Sequence, residues 1–136
     1  MTANTTIDFE KVAIVLVILM TALQGFYSIF GYLDPFAFSV IRGTELVSSS
    51  DKDWVQIYAS RTLFITLIIG YLIYIKNYRI LMYTALFGMV MPITDAVLAY
   101  NAQAPTKVIV KHIVTIVYLA ATFFALRKVV RSREVS

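Results

Sequence analysis

The chain has 136 residues, of which 60% are hydrophobic and 15% are charged. Soluble domains average roughly 45–50% apolar and about 25% charged residues, so this composition excludes an ordinary soluble domain. The net charge of +4 comes mainly from basic residues that flank the apolar runs, which favours a lipid bilayer as the partner and argues against nucleic acid.

Four apolar runs of about twenty residues follow one another, and each is long enough to cross a bilayer as a helix. We therefore predict a single transmembrane domain over 1–136, an all-α integral membrane four-helix bundle with antiparallel up-and-down topology. The predicted spans are 11–30, 55–75, 79–100 and 107–126. The first run is full length and has no basic segment before it, which indicates a retained helix rather than a cleaved signal peptide.

The connection 31–54 is the longest in the chain. It opens with the turn signal Asp34-Pro35 and continues with a short amphipathic stretch. A connection of this length without structure of its own would be unusual, so we predict a short interfacial helix between the first two spans. Two roles stay open for it, namely covering a site as a lid or simply lying on the membrane surface.

The third span carries a proline and a carboxylate close together, Pro92 and Asp95. Proline removes a backbone donor and usually kinks a helix, which frees the carbonyl near Gly88. A charge at membrane depth costs several kcal/mol unless it is paired or hydrated, so Asp95 is by default a candidate functional residue.

The distribution of basic residues predicts the orientation. In a four-span bundle both termini share one side with the turn 76–79, and this side holds more basic residues than the other. The positive-inside rule then places both termini in the cytoplasm, with 127–136 as a basic cytoplasmic tail. We expect an integral, multi-pass protein of a bacterial cell membrane.

One polar residue in each span falls at a similar height. Gln24, Arg61, Asp95 and His112 each lie about five or six residues from a helix end. At 1.5 Å per residue this places all four roughly 7–10 Å below the outer surface. If these faces point inward, the bundle holds a polar pocket there. The candidate ligand-binding residues are Gln24, Tyr27, Tyr58, Arg61, Asp95 and His112.

These side chains permit binding chemistry, and they equally permit a structural role. Arg61 and Asp95 can neutralise each other as an ion pair, and His112 can titrate near neutrality. An Asp–His pair can orient an imidazole as a general base, while arginine holds an anion. The same set could instead be a polar knot that fixes helix register, and Arg61 could extend to the interface. With one histidine and no cysteine, we expect no metal, haem or other cofactor.

Three motifs resemble a known group of proteins. Arg61 near the start of the second span, Pro92-Ile93-Thr94-Asp95-Ala96 in the third and Lys111-His112 in the fourth look like the small four-helix membrane proteins of the DoxX-like families. The resemblance covers roughly 58–126. It implies a four-helix bundle and supports the choice of Arg61, Asp95 and His112. Most members have no assigned activity, so it implies no reaction.

The sequence leaves three functions open. The first is a pocket that binds or processes a small, partly apolar molecule, and no particular enzymatic reaction is indicated. The second is an accessory or structural subunit whose polar layer holds the bundle or a partner. The third is a small transporter acting as a dimer, so a homo-oligomer or a larger membrane complex is a further expectation.

Overall fold

The computed structural model describes residues 8–43 and 46–135, so 44–45 of the long connection lie outside it. Within those residues the chain forms six helices and no strand. They are α1 (Phe9–Leu33), α2 (Pro35–Arg42), α3 (Asp51–Tyr74), α4 (Tyr78–Gly88), α5 (Val90–Asn101) and α6 (Thr106–Val135). Because α4 and α5 form one continuous apolar segment, four helices are long and apolar enough to span a membrane: α1, α3, α4 with α5, and α6. The predicted all-α membrane bundle is confirmed, whereas the up-and-down order stays a prediction.

The last helix is longer than predicted, because α6 continues through the basic segment that we expected as a tail. Its 30 residues correspond to about 45 Å of helix. Ion pairs hold its last turns: Arg133 Nη2 donates to Glu10 Oε1 at 3.0 Å, and Glu134 pairs with Arg79. Tyr78 Oη also donates to Glu10 Oε1, at 3.0 Å. We call Glu10, Tyr78 and Arg133 the Glu10 cluster.

A short helix, α2, lies between the first two spans, and its ends are specified locally. The Asp34 carboxylate accepts from the backbone N–H of Ala37 at 3.0 Å, which caps the helix. Pro35 occupies the first turn, where its fixed φ suits a helix and its missing N–H is not needed. Gly43 ends the helix with a φ of 88°, a conformation that glycine adopts without strain. That α2 lies in the membrane interface stays a prediction.

Gly43 also lets the end of α2 sit directly on the first turn of α6. A Cβ at this position would lie 2.6 Å from Val108 Cγ1, which is closer than real atoms approach. Only a residue without a side chain permits both the left-handed backbone and this contact. The contact fixes the position of Arg42, the last residue of α2.

The third span is interrupted at the place that Pro92 predicts. Helix α4 ends at Gly88 and α5 begins at Val90, because Pro92 has no N–H to donate to the Gly88 carbonyl. Regular bonding resumes at Ile93, whose N–H donates to the Met89 carbonyl at 3.2 Å. Asp95 lies six residues after Met89, less than two turns of helix beyond the break.

The hydrophobic core lies in the half of the bundle that contains the start of α1 and the end of α6. Its buried members come from α1, α3, α4 and α6: Ala13, Val17, Leu72, Tyr78, Leu81, Met82, Ala85, Ala125, Leu126 and Val129. In the other half, α1 and α3 approach closely at Gly31, where an added Cβ would lie 3.1 Å from the Ala59 Cβ. The polar residues of the candidate site belong to this second half.

Candidate functional site

Four polar side chains meet where α2, α5 and the start of α6 come together. Asp95 Oδ2 forms an ion pair with Arg42 Nη2, and the same oxygen lies 3.8 Å from His112 Nδ1. Lys111 Nζ donates to the Ile41 carbonyl at 2.7 Å. We call Arg42, Asp95, Lys111 and His112 the Asp95 cluster. The side chains of Arg42 and Asp95 are 16% and 25% exposed, so this ion pair is largely withdrawn from the surface.

The end of α2 is held by charge as well as by packing. The Ile41 carbonyl is one of the last in α2, and such carbonyls have no partner within their own helix. The ammonium of Lys111 supplies one and also interacts favourably with the negative end of the helix dipole. Lys111 therefore links α6 to the end of α2, the helix that carries Arg42.

Aromatic side chains surround the guanidinium. Arg42 Cζ lies 5.2 Å from the ring centroid of Tyr58 and 6.0 Å from that of Phe38, and Phe38 makes an edge contact with Tyr27 at 5.8 Å. Cations are attracted to ring faces at such distances, most strongly where water is scarce. Among the described residues, the guanidinium has one charged partner, the carboxylate of Asp95.

His112 is the most buried member of the cluster, with 3% of its surface exposed. Its Nε2 has no hydrogen-bond partner among the residues that the structure describes. A buried polar atom without a partner costs roughly 1–3 kcal/mol, and most such atoms in proteins find one. Of all buried side-chain nitrogens and oxygens in the described ranges, Nε2 stands alone in this respect.

One cavity is lined by the cluster, and two others share lining residues with that cavity. A small one of about 70 Å³ is lined by all four cluster members together with Gln24, Tyr27 and Tyr58. An apolar groove of about 580 Å³ runs from it between α1, α3, α4, α5 and α6, sharing Met20, Gln24 and Met91 with the small cavity. A third of about 520 Å³ lies under the 46–55 segment and shares Arg42, Tyr58 and Asp95. We call the first the polar cavity and the second the apolar groove.

The structure brings together five of the six predicted site residues. Gln24, Tyr27, Tyr58, Asp95 and His112 all line the polar cavity. Arg61 is exposed and lines none of the three cavities.

The partner of Asp95 is Arg42 rather than Arg61, which corrects the predicted ion pair. Helix α3 packs inward with Ala59 and Thr62, which are 0% and 5% exposed. Arg61 is two positions from Ala59, about 200° around the helix, so it points away from that face. In the sequence, Arg42 is recognisable as the one cation of the short amphipathic segment, 53 residues from Asp95. Only the position of the end of α2 against α6 distinguishes it from Arg61.

The arrangement suits recognition of a small polar group. Arg42 presents up to five N–H donors and the described hydrogen bonds use one of its nitrogens. His112 can donate or accept at Nε2, depending on which ring nitrogen carries the proton. Among the described residues no three histidine or acidic side chains approach each other closely enough to hold a metal ion.

Residues 12–126 match a family model described as a domain of unknown function, DUF4267. The match spans most of the chain, so the chain belongs to that family, which is uncharacterised. No curated protein and no solved structure matches it. The kinship with the DoxX-like group stays a prediction.

Proposed function

We propose that this member of the DUF4267 family is a multi-pass membrane protein that binds a small, partly apolar molecule. The polar part of the ligand sits at the Asp95 cluster, and its apolar part follows the apolar groove. The observation that carries this proposal is the buried His112 Nε2, which has no partner among the described residues and belongs to a side chain that lines the polar cavity. A ligand that offers a complementary atom removes the cost of leaving it unpaired.

The cavities support binding over a purely structural role. A polar knot that only fixes register is most stable when every member is satisfied, because a half-satisfied network costs more than an apolar core. The Asp95 cluster leaves an imidazole nitrogen unpaired and is bordered by open space. The apolar groove falls within the roughly 300–1,000 Å³ range of small-molecule pockets.

The position of the site relative to the membrane is part of the proposal. With both termini in the cytoplasm of a bacterial cell, the Asp95 cluster lies near the outer leaflet, and the ligand enters from that side. The basic side chains near the end of α6, Arg127, Arg131 and Arg133, then face the anionic cytoplasmic headgroups. A shared ancestry with the DoxX-like group belongs to the same proposal, since Asp95 and His112 of the resembling motifs line one cavity.

The test is ligand retention by the full chain purified in mild detergent. Bound molecules are extracted and quantified by mass spectrometry for the wild type, His112→Leu and Glu10→Gln. We expect His112→Leu to lose a molecule that the wild type and Glu10→Gln retain, because Glu10 is a paired carboxylate outside the three cavities.

Equal retention by all three proteins, or retention of nothing beyond bulk lipid by the wild type, would overturn the proposal in favour of a polar knot. A solvent-filled polar cavity in an experimental structure determined in lipid would point the same way.

A further inference from the structure

The charges around the polar cavity narrow the class of ligand. Its lining contains two cations, Arg42 and Lys111, and one carboxylate, Asp95. Asp51 borders the cavity under the 46–55 segment but not the polar cavity. With His112 neutral, the described lining of the polar cavity holds one more positive charge than negative charge. An anionic group complements this excess, because an uncompensated cation near membrane depth is costly.

The size and surroundings of the cavity narrow the class further. About 70 Å³ is room for a group of a few heavy atoms, given that one water takes about 30 Å³ in the liquid. A carboxylate fits within this volume, whereas a phosphodiester with its glycerol is larger and extends beyond the polar cavity. Among the described residues, no charged side chain lines the neighbouring apolar groove, which shares Met20, Gln24 and Met91 with the polar cavity. This arrangement suits one unbranched apolar chain attached to the headgroup.

The chemistry of His112 agrees with an acidic headgroup. A neutral imidazole with its proton on Nε2 donates to an oxygen of an ionised carboxylate, which gives the unpaired Nε2 a partner. The carboxylate accepts from the cations through its remaining lone pairs, and its negative charge offsets the excess positive charge of the described lining.

We infer that the site takes a single-chain carboxylic acid drawn from the bilayer, with the carboxylate between Arg42, Lys111 and His112 and the alkyl chain in the apolar groove. The inference rests on the proposed function and names its ligand class. A double-chain anionic phospholipid, an uncharged alcohol and a cationic amphiphile are the alternatives that the experiment separates.

The probe is dodecanoic acid carrying a diazirine on its chain, photocrosslinked to the full chain in detergent. Unlabelled dodecanoate, dodecanol, dodecyltrimethylammonium and phosphatidylglycerol serve as competitors. We expect dodecanoate to halve labelling at a concentration at least ten-fold below that of any other competitor. We also expect labelled peptides from α1 and α5, at Met20 or Met91 in the groove.

Two pairs of variants test the binding of the ligand's carboxylate and of its alkyl chain separately. Lys111→Gln keeps the Arg42–Asp95 pair and should weaken dodecanoate competition at least five-fold, while Lys111→Arg restores it. Gly88→Phe places a ring in the groove, because an added Cβ there meets nothing closer than the Met91 Cε at 4.0 Å. It should lower labelling at least five-fold. The control Gly70→Phe, at a position with no other atom within 4 Å and outside the groove, should leave labelling unchanged.

The outcomes distinguish the two proposals. Saturable labelling that dodecanol or dodecyltrimethylammonium competes as well as dodecanoate overturns the acidic class but leaves a binding pocket. If phosphatidylglycerol is the one competitor that reduces labelling, the ligand is neither single-chained nor a carboxylic acid, and the inference is overturned. Labelling that no competitor reduces overturns this inference and the proposed function together.

Discussion

The Glu10 cluster and the Asp95 cluster are built from similar groups, but they differ in how many of their polar atoms have a hydrogen-bond or ionic partner. In the Glu10 cluster the carboxylate accepts from Tyr78 and from Arg133, both at 3.0 Å, and the Arg133 guanidinium also lies 4.5 Å from the Tyr78 ring centroid. In the Asp95 cluster the carboxylate has one close cationic partner, Arg42, and the neighbouring imidazole keeps an unpaired Nε2. About 31 Å of α6 separates His112 from Arg133.

The difference follows the packing of the two halves. The Glu10 cluster lies over the hydrophobic core, where Leu126, Ala13 and Leu81 leave little surface exposed. Around the Asp95 cluster the buried apolar residues are few and partly small, such as Ala59 and Ala99, and the polar cavity and the apolar groove remain. The Glu10 cluster, whose polar atoms are paired above a filled core, is suited to holding helices together. The Asp95 cluster, which has an unpaired nitrogen among the described residues and lies beside open space, is suited to binding a ligand.

The largest expected effect comes from removing the carboxylate of each cluster. Asp95→Asn leaves the Arg42 guanidinium largely withdrawn from water without its counter-charge, and we expect a loss of about 3 kcal/mol in the free energy of unfolding. Glu10→Gln affects a pair whose side chains are 41% and 49% exposed, and we expect at most about 1 kcal/mol. Unfolding in detergent mixtures measures both. Equal losses would remove the contrast between the clusters.

The next effect is on the helix that carries Arg42. Gly43→Ala forces a left-handed residue with a side chain against Val108, and we expect a loss of about 2 kcal/mol together with loss of ligand retention. Adding Val108→Ala removes the closest contact, the one with Val108 Cγ1, and should recover about half of the lost stability, because the backbone strain persists. A double variant no better than Gly43→Ala alone would show that the approach of α2 to α6 does not limit stability.

A smaller effect separates stability from binding at His112. His112→Leu replaces a buried imidazole that lacks one partner, and such replacements are often neutral or stabilising, so we expect a change within about 1 kcal/mol while ligand retention is lost. In the Glu10 cluster, Tyr78→Phe removes a satisfied hydrogen bond and should cost about 1 kcal/mol. Thermal unfolding and retention are measured on the same samples. A large destabilisation by His112→Leu would make the imidazole structural.

The smallest effect is expected at the arginine that the sequence favoured. Arg61 is exposed and forms no ion pair within the described residues. Arg61→Gln should therefore change the free energy of unfolding by no more than about 0.5 kcal/mol and leave ligand retention intact. If Arg61→Gln lost the ligand and Arg42→Lys retained it, the original prediction that Arg61 belongs to the binding site would be restored.

Local signals predicted most of the fold. Apolar run lengths gave the four spans, Pro92 gave the break after Gly88, and Asp34-Pro35 opened the short helix α2. These predictions succeed because hydrophobic length and proline geometry depend on neighbours in the sequence. Gln24, Asp95 and His112 line one cavity, and their height relative to the membrane surface stays a prediction.

The sequence by itself determined which four segments form spanning helices and where the third span breaks. Only the tertiary structure decided which arginine meets Asp95, because the α3 face bearing Ala59 turns inward and carries Arg61 away from it. It also decided that the end of α2 rests on α6, through the contact between Gly43 and Val108. Long side chains from distant segments choose their partners after the backbones have packed, and the space left by that packing forms the cavities.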